Sequence, residues 1–121
     1  MTSIFNLNEK QLDYVIAFIH KEDLEHCIRD DNLYIDYFYS PSNNWDQGGS
    51  IIEKQKISVK YHAVTKVWTG ENLKHSTLGH TPLVAAMRCY AATKLGYEVD
   101  MEKIYKTLRA GKEWDNEKVW D

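Results

Sequence analysis

The apolar positions of the chain change period several times, and each change marks an element. Asn8-Glu9-Lys10-Gln11 has the form of a capping box, with Asn8 as N-cap and Gln11 at the third helical position. Leu12, Val15, Ile16 and Ile19 then recur at helical spacing, and Tyr14 and Phe18 widen their face, so a first helix of about three turns is predicted. The charged stretch from His20 to His26 either extends it or forms a second short helix, and Asp30-Asp31-Asn32 ends it with turn chemistry. Leu33 to Tyr39 is rich in β-formers and reads as a strand.

After that strand the pattern breaks into a polar and aromatic loop. Gln47-Gly48-Gly49-Ser50 relaxes the backbone before a short helical turn over Ile51 to Gln55. Ile57 to His62 alternates, placing Ile57, Val59 and Tyr61 on one face, and Thr65 to Thr69 reads as the return strand of a hairpin that turns near Ala63 to Lys66. Gly70 to Gly79 is polar and loop-like. Thr81 as N-cap and Pro82 at the first position start a helix over Leu83 to Lys94, with Gly96 as its stop. Ala85, Ala86, Ala91 and Ala92 give that helix a face for close packing. Asp100 opens another short helix carrying Met101, Ile104, Tyr105 and Leu108, stopped by Ala110-Gly111. The elements make a single α+β domain over residues 1–111, a small antiparallel sheet packed against two or three helices. A polar tail over 112–121 holds Trp114 and Trp120 among charges.

The chain has 121 residues, 43% hydrophobic and 27% charged, enough for one core without disulfides or a metal. Its net charge of −3 lacks the basic excess of a duplex nucleic-acid binder. No apolar run approaches the ~18 residues of a membrane span, and no basic-then-apolar leader opens the chain, so a soluble cytoplasmic protein is expected. Cys27 and Cys89 lack any C-x-x-C pairing and read as small packed hydrophobes.

Candidate chemistry concentrates in Asp36 to Gly49. Asn43 and Asn44 can donate and accept together, which suits the edge of a base or the hydroxyls of a sugar, and Trp45 can stack on a flat ring. The structural alternative is that both amides cap their own turn while Trp45 fills the core, and for each residue alone this is the stronger reading. The start of the Thr81-Pro82 helix is a second candidate, since free amides favour an anion there beside His80; an ordinary capped helix is the commoner outcome. Catalysis has little support. Among His20, His26, His62, His75 and His80 the one step worth weighing, His20 to His26, does not put both on one helical face; no nucleophile elbow or phosphate-binding loop is present, and nothing in the sequence brings Asp36, Asp46 and Glu53 together. A non-enzyme without cofactor or metal is expected.

The block from Asp36 through Ile57, followed by Trp68 and by Gly79-His80-Thr81-Pro82-Leu83-Val84-Ala85-Ala86-Met87-Arg88, resembles the NinX-type family of small phage and prophage proteins. Pro41, Asn43, Asn44, Trp45, Gly48, Gly49, Ile51, Ile52 and Glu53 fit its asparagine–tryptophan block, and Pro82, Ala85, Ala86, Met87 and Arg88 fit its closing helix. Ser50 stands where the family often has proline. The resemblance spans roughly residues 33 to 100 and implies a phage accessory protein in an infected or lysogenic host, with no activity attached. By analogy with phage proteins that sequester host immune signals, Asn43, Asn44, Trp45, Gly48, Gly49, Trp68, Thr81 and Arg88 would form a pocket for a nucleotide-like ligand. In that pocket Trp45 or Trp68 would stack, and Thr81 with Arg88 would hold phosphate, in a homo-oligomer joined by the alanine-rich helix. The alternative is a protein-binding module that inhibits or adapts a host or phage protein through an aromatic surface.

Overall fold

The computed structural model describes residues 1–20, 28–29, 32–33 and 39–108. The expected continuation of the first helix past His20, most of the strand up to Tyr39, Cys27, His26, Asp36, the stop at Ala110-Gly111 and the tail with Trp114 and Trp120 lie outside the described residues. The elements in order are β1 (Thr2–Ser3), a 3-10 turn (Ile4–Asn6), α1 (Glu9–His20), β2 (Ile28–Arg29), β3 (Asn32–Leu33), α2 (Trp45–Gln55), β4 (Ser58–His62), β5 (Val67–Glu71), β6 (Ser76–Gly79), α3 (Pro82–Leu95) and β7 (Glu98–Val99). Residues 101–108 form a last helix, α4. The class is α+β, as expected. The three longest described strands make one antiparallel sheet in the order β4-β5-β6, and β1 pairs with β7 and β2 with β3 in two-residue ladders.

The helix starts follow the local chemistry. The Asn8–Gln11 capping box forms in both directions, the Gln11 amide donating to Asn8 Oδ1 (2.8 Å) and the Asn8 amide to Gln11 Oε1 (2.9 Å). Thr81 caps α3 through a bond from the Val84 amide, and the Lys103 amide donates to Asp100 at the start of α4.

Two expectations are corrected. Gln47 to Ser50 is not a relaxed linker: α2 runs unbroken from Trp45, with Gly48 and Gly49 inside it. Asn44 supplies the reason at one end, because its side chain accepts from the Asp46 and Gln47 amides and fixes the first turn. The stretch from Gly70 to Gly79 is a loop only over 72–75, since β5 extends to Glu71 and β6 occupies Ser76–Gly79. Its small residues Gly70, Thr77 and Gly79 lie where the sheet meets α3 very closely. A Cβ added at Gly70 or Gly79 would come within 2.5 Å of the Ala85 backbone. Thr77, on the same side of the sheet, donates its hydroxyl to the Ala85 carbonyl at 2.8 Å.

α3 is the centre of the fold. It buries Leu83 through Met87 and Cys89 through Ala92, packing against the sheet on one side and against α1 and α2 elsewhere. Ala85 lies on the sheet, and Ala86, Ala91 and Ala92 belong to the core, so the alanine-rich face is used inside the subunit and is not free for oligomer packing. α1 contributes Leu12, Tyr14, Val15, Ile16 and Ala17, and α4 docks on it with Ile104 buried and Tyr105 edge-on to Tyr14. Cys89 is buried, as expected; burial pushes its thiol up, with the Thr93 hydrogen bond opposing and Glu71 adding to the shift. Among the described residues no helix is long and apolar enough to cross a membrane.

Candidate functional site

The turn before α2 is built on a buried carboxylate. Asp13, on α1 and only 1% exposed, accepts from the Ser40 hydroxyl (2.8 Å) and from the Ser42 amide (2.8 Å). The Ser40 amide donates to Gln47 Oε1 (2.6 Å), and the Ser42 hydroxyl donates to the Glu9 carbonyl. Burial lifts the Asp13 carboxyl from 3.8 to about 6, against the lowering effect of its bonds to Ser42 and Ser40; the neighbouring Glu9 adds to the rise. Pro41, between the two serines, meets Gly48, where any Cβ would overlap the Pro41 carbonyl and press on Leu83 of α3. The turn is therefore locked between α1, α2 and α3.

From this fixed base α2 starts outward. Asn43 is exposed, and Trp45 is 57% exposed although it is the first residue of a well-capped helix. A ring of that size in water forgoes hydrophobic stabilisation; Phe5, Tyr61, Val64, Leu73 and Leu78 are exposed too, but Trp45 is the largest apolar side chain among them. Gly49 adjoins the ring, its ideal Cβ position lying 3.6 Å from Trp45 Cε3. Beside this surface His80 Nε2 lies 2.9 Å from Glu9 Oε2, joining the starts of α3 and α1.

The eight sequence-predicted site residues do not all meet. Asn43, Asn44, Trp45, Gly48 and Gly49 share the start of α2, and Thr81 opens the neighbouring α3, whose Leu83 faces Gly48. Trp68 is on β5, half-buried, tilted against Tyr61 at 5.1 Å between centroids and in register with Gly79. Gly79 meets Ala85, and Leu83 and Ala85 are about 200° apart around a helix, so α2 and Trp68 approach α3 from opposite sides. Arg88 is elsewhere again. Its guanidinium donates to the Leu78 carbonyl (2.8 Å) and the Phe5 carbonyl (3.4 Å) and lies over the Phe5 ring. Burial lowers its pKa.

The pair expected to hold phosphate is engaged within the fold: Arg88 donates to the Leu78 and Phe5 carbonyls, and Thr81 Oγ1 accepts from the Val84 amide. At the start of α2 the Asp46 and Gln47 amides bond to Asn44. Asn44 and Thr81 thus take the capping role that the structural alternative gave them, whereas Trp45 does not fill the core. Sequence reasoning missed Asp13, Ser40 and Ser42. The available signal was Asp13 itself, an acid three and four positions before Ile16 and Ala17 and therefore on an apolar helix side.

A small α+β domain with a capped, locked turn presenting one tryptophan is the class that fold and surface define. A sequence model of the family described as Bacteriophage P22, NinX matches residues 6–94, and the chain belongs to that phage family. No curated protein matches the chain.

Proposed function

We propose that this phage accessory protein acts by binding, without catalysis, and that its binding surface is the outward side of α2 at Trp45. The observation that carries the reading is the 57% exposure of an indole fixed on a helix whose first turn is capped and whose base is locked to α1 and α3. Tryptophan is over-represented among the residues that dominate protein interfaces, and a rigid platform loses little entropy when it is covered. The partner is a host or phage protein that the domain inhibits or adapts. Open geometry and occupied phosphate donors favour a protein over an enclosed nucleotide.

A second reading has its own support in Asn43, exposed beside Trp45: a nucleotide-like ligand, such as a host immune signal, stacks its base on the indole while Asn43 reads an edge. Affinity capture from infected cells, comparing the unaltered chain with Trp45→Ala, tests the first reading; loss of a specific protein with the fold intact supports it, and an unchanged set of captured proteins overturns it. A thermal-shift screen against nucleotides, cyclic nucleotides and ADP-ribose derivatives tests the second. A ligand at a hundred times its Kd adds about 2.7 kcal/mol of stability, and a flat screen rejects that reading.

A further inference from the structure

The outward side of α2 carries a charge pattern that narrows the partner. Gly48 and Ile51 are its buried residues and mark the inner side. At about 100° per residue, Asp46, Ser50 and Glu53 fall opposite them, and all three are exposed. Trp45 flanks this stripe with its ring beside Gly49. The indole thus stands at the N-terminal end of a stripe that carries two carboxylates spaced two turns apart. Of the basic residues of the helix, the exposed Lys54 borders the stripe in the last turn on the side away from Trp45, and Lys56 is the left-handed C-cap. Asn44 holds the Asp46 and Gln47 amides, which would otherwise favour an anion.

We propose that this side of α2 docks a basic segment of a partner protein, with an arginine or lysine laid on Trp45 and neighbouring cations facing Asp46 and Glu53. The inference rests on the protein-binding reading above and adds the partner's chemistry. Cations are attracted to the indole face, and a guanidinium can stack on it and meet a carboxylate. The chain's net charge of −3 favours encounter with a basic partner.

The test is a titration of the full chain with three probes, read by calorimetry at low and high salt. The probes are a peptide of alternating glycine and arginine, the same peptide with glutamate for arginine, and AMP. The arginine peptide is expected to bind, to weaken with salt, and to lose affinity about fivefold in the double variant Asp46→Asn, Glu53→Gln. Trp45→Ala is expected to abolish its binding. Charge reversal at both acids, Asp46→Lys with Glu53→Lys, should transfer the preference to the glutamate peptide. These residues are exposed, and circular dichroism checks that each variant is folded. An unchanged affinity in the double variant, or no binding of the arginine peptide, overturns the basic-partner inference while leaving the capture experiment to decide the broader reading. Binding of AMP alone overturns the inference in favour of the stacked-base reading.

Discussion

α2 and α3 begin alike and are used differently. Each has a side-chain N-cap, Asn44 in one and Thr81 in the other, and the two are joined where Leu83 meets Gly48. α3 buries nine residues, whereas α2 buries only Gly48 and Ile51. α3 is thus held by tertiary packing along its length. α2 depends on its cap, on a glycine-lined contact and on the Asp13-anchored turn beneath it. The difference separates a scaffold from an element held out to solvent.

The largest loss of stability is expected at the glycines under α3. Gly79→Ala would place a Cβ 2.5 Å from the Ala85 amide nitrogen, with backbone on both sides. A loss on the order of 3 kcal/mol is expected, seen as a fall in the denaturant midpoint.

The base of α2 makes stability depend on pH. The Asp13 carboxyl is raised from 3.8 to about 6 in the folded chain. Its stabilising contribution is therefore fully present below the unfolded value and is lost as the pH rises through the folded one. Of about 3 kcal/mol in all, about 1 kcal/mol should be regained between pH 7 and pH 5. Asp13→Asn keeps an acceptor for the Ser42 amide and is expected to remove this component from the pH profile of unfolding free energy.

The caps give an effect of about 1 kcal/mol for Thr81→Ala, spread over the whole fold because α3 unfolds only with the core. Asn44→Ala should act more locally. Hydrogen exchange is expected to quicken in the first turn of α2 while the amides of α3 keep their protection.

Much of this architecture was legible in the chain because local chemistry decides it. The Asn8–Gln11 box, the Thr81-Pro82 start, the Gly96 stop and the hairpin turn between β4 and β5 depend on neighbours in sequence. The two glycines of α2 and the strand β6 were misread because their roles are set across space. Gly48 is small to admit Pro41 and Leu83, and Gly70 and Gly79 are small to admit Ala85. A glycine needed for close approach looks, in sequence, like one that loosens a loop. The site was legible as a cluster, Asn43 to Gly49, because those residues are contiguous. Trp68 and Arg88 were drawn into it by motif alone, and the helix geometry of α3 places them apart. Asp13 was hidden by its charge, which gave no sign that a serine turn would cover it.

The smallest stability effect is expected at Trp45 itself. If Trp45 is displayed for binding and not packed for stability, then Trp45→Ala should change the unfolding free energy by less than about 0.5 kcal/mol in denaturant titration at neutral pH. A loss of about 2 kcal/mol or more would mean that the indole is part of the packed structure, and α2 would then be scaffold like α3.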